Sequence, residues 1–241
     1  MKTAIVTGAS RGIGRAITKR LVHLGYRVYG LARSFSDTDF SDDNFFPIEC
    51  DITDTSALIR AVERIKSGED AINLLVNNAG VGFFGPHEQL KPKEIQMMIR
   101  TNLEAPLILS NLLLRDLKNS GGSIISISSA AAKKISTHGC AYAAAKAGLT
   151  HFSASLFEEV RKTGVKVTVI HPDITKSSFY DGLDFTYEDD SRAVLRDEEI
   201  ADAVEYILGT ADTMAVNEIT LKPQINRIKR KIPADANDRR T

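Results

Sequence analysis

The sequence predicts a doubly wound α/β fold, a parallel sheet covered by helices on both faces, in a single domain. Three observations carry that prediction. Short runs rich in β-branched residues alternate along the chain with longer segments of 3.6-residue periodicity, the pattern of parallel strands joined by right-handed helical crossovers. The first run leads into TGASRGIGRA, three glycines lying between a strand and a helix. The 241 residues, 43% of them hydrophobic, suffice for one large core or at most two small ones, and one domain is the simpler arrangement.

Taken in order, the first strand is TAIVT at residues 3–7, and the helix after the glycine turn covers 14–24. A second strand at 27–31 leads into SFSDTDFSDDNF at 34–45, whose acids and serines make it a solvated loop to which no function is assigned. Strand 46–50, helix 56–66 and strand 73–77 follow. A long helical pattern at 92–117 contains Pro106, and beyond it come strand 123–128, helix 142–161 and strand 166–171. Residues 176–196 mix Phe179, Tyr180, Phe185 and Tyr187 with acids too irregularly for an amphipathic helix. A long insert after a strand's carboxyl end is where α/β enzymes carry lids and specificity loops. Helix 197–208 and strand 216–222 complete the domain, residues 1–222, and residues 223–241 read as a frayed tail.

Composition excludes several partners. Lys and Arg number 31, as do Asp and Glu, so the chain as a whole offers no electrostatic footprint for nucleic acid or an anionic membrane. A small-molecule partner fits better. Cys50 and Cys140 have no metal-ligand spacing and are too few for a disulfide framework, which suits a reducing cytosol. No apolar run is long enough to span a membrane, and the first strand starts too soon after Met1 to leave room for a signal peptide. The expectation is a cytoplasmic protein.

The glycine turn points to a dinucleotide. Gly8, Gly12 and Gly14 let the backbone turn sharply and approach a pyrophosphate resting at a helix N-terminus, with Ser10, Arg11 and Ile13 of the same loop as further contacts. Tyr142 and Lys146, four apart in CAYAAAKAG, share one helix face with little bulk between them. The glycine spacing, Asn77-Asn78-Ala79-Gly80 after the fourth strand, and the Tyr142–Lys146 pair resemble the single-domain members of the short-chain dehydrogenase/reductase family, over residues 1 to 222. The resemblance implies a Rossmann fold with Asn78, Ala79 and Gly80 along the cofactor and Pro172 and Thr175 beside the nicotinamide.

Cofactor type follows from charge at the end of the second strand. An acid there would accept hydrogen bonds from the ribose and repel a 2′-phosphate. Here Ala32 stands at that place, with Arg33 after it and Arg11 within reach, so NADP(H) is expected; two solvated surface arginines are the alternative. By resemblance Asp51 accepts from the adenine amino group and Ile52 packs nearby, although Asp51 could equally be a turn or cap residue before helix 56–66.

Reduction of a carbonyl needs a proton donor at the oxygen and a stabiliser of its charge. Tyr142 is the expected general acid, and the Lys146 ammonium is expected to lower its pKa. By resemblance Lys146 also bonds the nicotinamide ribose. Ser128 and Ser129 both lie at the end of the fifth strand, on opposite faces; the family's serine precedes its tyrosine by thirteen residues, which selects Ser129 to hold the substrate carbonyl. Asn102 sits within one turn of Pro106, and reads as a helix-kink residue that the resemblance raises to a fourth member, holding a relay water toward Lys146.

Two departures bear on substrate. Asp173 replaces the glycine usual after Pro172; its carboxylate would favour a cationic substrate, or it is a solvent-facing turn residue. Relatives that reduce carrier-bound ketoacyl chains carry basic residues where this chain has Ser120 and Thr163, which weakens carrier docking despite Lys118 and Lys162. Phe83, Phe84, Phe179, Tyr180, Phe185 and Tyr187 are candidates to line an apolar pocket, Phe84 and Phe179 foremost. The expectation is an NADPH-dependent reductase of a small carbonyl, reversible toward the alcohol, paired as homodimer or homotetramer through its long helices. The alternatives are a catalytically silent NADP(H) sensor, and 3-oxoacyl reductase, epimerase or dehydratase chemistry on the same fold.

Overall fold

The computed structural model describes residues 1–36, 38–181, 183, 185–188, 190–225 and 227–231. Seven strands form one parallel sheet: β1 (Lys2–Thr7), β2 (Tyr26–Ala32), β3 (Phe45–Glu49), β4 (Leu74–Asn77), β5 (Ser123–Ile127), β6 (Lys166–Pro172) and β8 (Glu218–Leu221). Their spatial order is β3-β2-β1-β4-β5-β6-β8. The order reverses between β1 and β4, which opens a crevice at the carboxyl ends of those strands, the place where open α/β sheets bind ligands.

Alternate strand residues feed two cores, because a parallel sheet buries both faces. Ile5, Leu75 and Ile124 pack under α2 (Thr55–Gly68), α4 (Ala105–Ser120) and α5 (Cys140–Val160), through Leu58, Leu109, Leu113 and Val160. Ala4, Val6, Leu74, Val76 and Ile125 face α1 (Gly12–His23) and α6 (Asp197–Leu208), through Ile17, Leu21, Ile200 and Val204. The predicted single-domain α/β fold and every predicted strand and helix are present.

Three local expectations change. The pattern at 92–117 is two helices, α3 (Pro92–Ile99) and α4, with a π-turn at Arg100–Glu104 between them. Pro106 has no N–H and denies the Asn102 carbonyl its α-helical donor, while the Ala105 N–H reaches back to Arg100 instead. The loop at 34–45 is exposed over most of its length, but Phe35 and Phe40 fold back onto buried Phe45, with ring centroids 5.9 and 5.3 Å away. Finally, the expected tail is partly built: β9 (Ile228–Arg230) pairs antiparallel with β7 (Phe185–Tyr187) of the insert. Residues 232–241 of that tail lie outside the described residues.

Candidate active site

The carboxyl ends of β1, β2, β4, β5 and β6 open onto a cleft of about 1230 Å³. At one end lies the glycine turn, held by a compact hydrogen-bond set. Thr7 Oγ1 accepts from the backbone N–H of Asn78 and of Ala79, each at 3.0 Å, and Asn78 Nδ2 donates to the Thr7 carbonyl at 2.8 Å. Gly8 has φ +67°, and a Cβ on Gly14 would stand 2.1 Å from the Gly8 oxygen and 2.4 Å from Asn78 Nδ2. Nothing larger than glycine fits there. Asn78 is thus first a brace of the turn, and Ala79 and Gly80 form the cleft wall beyond it.

Arg11 precedes the first turn of α1, a turn without acidic residues, and Arg33 follows β2. Both guanidinium groups border the cleft, and among the described residues neither makes an ion pair or side-chain hydrogen bond. Asp51 and Ile52 border it too. Asp51 Oδ1 accepts from the N–H and hydroxyl of Thr53, at 2.9 and 2.8 Å, while the cap of α2 is Asp54. Of the readings open for Asp51, the turn is therefore real and the helix cap is not.

At the other end Tyr142, Lys146, Ser129 and Asn102 converge. Asn102 is fully buried in the π-turn; its Oδ1 accepts from Val81 N at 2.9 Å, and its Nδ2 donates to the Val81 carbonyl at 2.8 Å. The empty Cβ position of Gly80 lies 3.3 Å from Asn102 Oδ1 and 3.5 Å from Lys146 Nζ. Ser129 caps the short 3₁₀ turn Ala130–Lys133, accepting from Ala131 N at 3.1 Å, and its hydroxyl lies close enough to the Tyr142 phenol to favour the ionised ring. Ser128 points away and donates to the Lys146 carbonyl at 3.0 Å, so the two serines separate as strand alternation predicts.

The electrostatics correct one expectation. Burial pushes the Tyr142 phenol up to about 12, against the opposing effect of Ser129 alone, so Lys146 does not lower it. Burial brings Lys146 down to about 8, and its ammonium donates to the Ile127 carbonyl at 2.8 Å.

Pro172, Asp173 and Thr175 line the cleft between the two ends, with Thr175 Oγ1 donating to the Asp173 carbonyl at 2.9 Å. Asp173 Oδ1 accepts from Ile174 N, and Oδ2 lies 3.7 Å from Lys134 Nζ. The carboxylate therefore faces a lysine as well as the cleft. Among the aromatic candidates, Phe84 and Phe179 sit 5.2 and 5.8 Å from the Tyr142 ring, and Tyr180 and Phe185 complete the wall. Phe83 and Tyr187 do not reach the cleft. Lys134, His138 and Ile228 line it without having been singled out in the sequence; Ile228 arrives only through the β7–β9 pairing.

A glycine turn at the switch point, a wall of Asn78, Ala79 and Gly80, and Ser129, Tyr142 and Lys146 in one cleft with buried Asn102 behind Gly80 point to a dehydrogenase of the short-chain type. The family described as short chain dehydrogenase matches residues 2–184, and the chain belongs to that family of oxidoreductases. It is 34% identical to the 3-oxoacyl-acyl-carrier-protein reductase of Salmonella typhimurium, over 90% of this chain and 96% of that one. It is 30% identical to a probable NADP-dependent dehydrogenase of Haemophilus influenzae, over 92% and 93% of the two chains. Among solved structures, a metagenomic short-chain oxidoreductase in complex with NADP aligns at 30% identity with a TM-score of 0.76, covering 93% of this chain and 98% of that one. An alcohol dehydrogenase from Thermococcus sibiricus shares the fold with a TM-score of 0.84 at 24% identity, over 94% and 98%. Among the described residues no helix is long and apolar enough to cross a membrane.

Proposed function

We propose that the protein is an NADP(H)-dependent reductase that converts a carbonyl compound to an alcohol, reversibly, in the cleft at the switch point. The observation that carries this reading is the convergence of Tyr142, Ser129 and Lys146, with buried Asn102 behind them, at the end of a cleft whose other end is a glycine turn flanked by Arg11 and Arg33, which have no side-chain partner among the described residues. The residues fit the cofactor: the α1 N-terminus has no acid in its first turn, and Arg11 and Arg33, without a side-chain partner among the described residues, could take a 2′-phosphate. Bound there, NADPH supplies the hydride. The Tyr142 hydroxyl holds the proton that the product oxygen receives, and Ser129 Oγ orients the carbonyl beside it. Lys146 sets the charge near both, Asn102 anchors the segment at Val81 beneath them, and a water at the Asn102 carbonyl would relay protons onward.

The aromatic wall of Phe84, Phe179, Tyr180 and Phe185 suits a small, largely apolar carbonyl. A carrier-bound 3-oxoacyl chain is the second reading, favoured by the Salmonella typhimurium relative. Free thiols at Cys50 and Cys140 fit a cytoplasmic location, and the half-exposed Met97 and Ile99 beside α4 fit assembly as a homodimer or homotetramer.

The test follows NADPH absorbance with ketones, aldehydes and 3-oxoacyl thioesters, free and carrier-linked. The expected outcome is turnover that falls about 1000-fold or more in Tyr142→Phe while NADPH still binds. Binding without turnover on any substrate would instead identify a sensor.

A further inference from the structure

Behind Ser129 lies a buried histidine that the proton transfer above does not use. His171 is the penultimate residue of β6 and has no exposed surface. Its Nδ1 stands 3.1 Å from the Ser129 carbonyl oxygen, and its Nε2 stands 2.5 Å from Glu218 Oε1 at the start of β8. The same carboxylate oxygen holds Lys133 Nζ at 2.7 Å. Ser129 is the cap and Lys133 the last residue of one 3₁₀ turn, so the imidazole and the carboxylate tie both ends of that turn to the sheet.

Two acceptors thus face the two ring nitrogens. A neutral imidazole carries one N–H and satisfies one of them; the imidazolium donates to both. In the structure the Nε2 contact with Glu218 is close but not aligned as a hydrogen bond, whereas the Nδ1 contact with Ser129 is. Burial disfavours the charged ring and holds its pKa below the ordinary imidazole value, although Ser129 and Glu218 oppose that shift. Among the described residues Glu218, from β8, and Lys133, from the turn, are the charged groups facing the ring, and they are opposite in sign.

We propose that His171, with Glu218 and Lys133 behind it, is a positioning residue that holds the Ser129 turn against the substrate carbonyl, and that its protonation tightens this hold. The inference rests on the assignment of Ser129 to the substrate oxygen. It requires that His171 act through Ser129 and through no direct contact with the reacting atoms.

The experiment is a double-mutant cycle with a pH profile. His171→Leu lowers kcat about tenfold or more, and adds no further loss in a Ser129→Ala background. His171→Asn, whose amide can replace the donor to the Ser129 carbonyl and does not titrate, recovers most of that rate but loses the gain in kcat on the acid side of the imidazole range. Glu218→Gln moves that gain to lower pH, since it removes the anion that favours the imidazolium. Additive losses in the double variant, or an acid-side gain that survives in His171→Asn, overturn the proposal. A second arm needs no turnover: the carbonyl carbon of Ser129, observed by NMR through the Ala130 amide, shifts with the same midpoint as the His171 ring nitrogens and stays still in His171→Asn. If no carbonyl is reduced, the reading of the site falls, but this titration still decides the positioning: a Ser129 carbonyl indifferent to His171 overturns it.

Discussion

The glycine turn after β1 and the aromatic loop after β6 border one cleft, yet different forces shape them. The turn is backbone held by two polar side chains, Thr7 Oγ1 and Asn78 Nδ2, which stitch β1 to β4 through bonds of 2.8 to 3.0 Å, with no room for a side chain at Gly14. The loop is side chain held by side chain, a chain of rings from Tyr142 through Phe84 and Phe179 to Tyr180 and Tyr187, with a three-residue strand pairing at its rim. The turn fixes one geometry; the loop tolerates substitution. That division predicts where mutation should be costly.

Lys146 stands where the two regions meet and should show the largest effect. In Lys146→Met we expect reductase activity to fall about 100-fold or more, yet the folded state to gain about 1–2 kcal/mol at neutral pH. The sign follows from linkage: the folded pKa is about 8 against 10.5 for the free group, so the unfolded chain binds more protons between those values and wild-type stability rises with pH across that window. The variant lacks that rise, so its advantage is full below about 8 and gone near 10.5. Part of the gain is offset by the Ile127 carbonyl, which loses its donor. Denaturant melts of both proteins at several pH values check this; a variant less stable than wild type at neutral pH would contradict it.

Gly14→Ala tests the rigid region directly. The added methyl meets the Gly8 oxygen, which is backbone and cannot swing aside, so the turn must open. We expect a loss of about 3 kcal/mol and loss of NADPH binding, measured by melting and by fluorescence titration. At Phe84, which follows β4 and packs against the rings of the loop, Phe84→Ala should cost less stability than this and should change the ranking of carbonyl substrates, read as kcat/KM across a size series.

These differences also explain what the sequence disclosed. The glycine spacing, the Tyr142–Lys146 spacing and the alternation of strands with helices are local or periodic facts, so the fold was legible in the sequence, whereas Ser129 over Ser128, and Asn102 as more than a kink residue, came only from the resemblance to the family. The π-turn was half legible: Pro106 announced a disturbance at Asn102, but not that the chain would add a residue to the turn rather than unwind. Ile228 was not legible at all, because nothing in RIKRK says that it returns to pair with Phe185–Tyr187. Lys134 escaped for the same reason, since its partnership with Asp173 joins the end of β5 to the end of β6 across the cleft mouth. Local pattern finds what backbone geometry demands; it does not find contacts made by distant segments that meet late.

Arg33 sharpens the comparison from the cofactor side, where the rigid turn sets position and an exposed side chain sets identity. Arg33→Ala should weaken NADPH about ten- to hundredfold, the scale of one or two charge-assisted hydrogen bonds, and leave NADH unchanged. Equal effects on the two cofactors would make it an ordinary surface arginine.

The smallest effect belongs to the rim of the loop. Lys231 donates to the carbonyls of Tyr180 and Asp181, at 2.6 and 3.0 Å, just beyond the strand that pairs with β7. Its side chain touches neither cofactor end nor Tyr142, and the contact ties down an exposed segment, so Lys231→Ala should leave the melting temperature where it is. If the rings of Phe179, Tyr180 and Phe185 are held in place partly by this return of the chain, the same variant should raise KM for bulky carbonyls about threefold with little change in kcat. NADPH affinity should not move, because the hydrogen bonds of the Lys231 side chain go to Tyr180 and Asp181 and none goes to the glycine turn. A KM shift shared by cofactor and substrate would mean that the two regions are mechanically coupled, and the division between a fixed turn and a tolerant loop would fail at the point where it is easiest to measure.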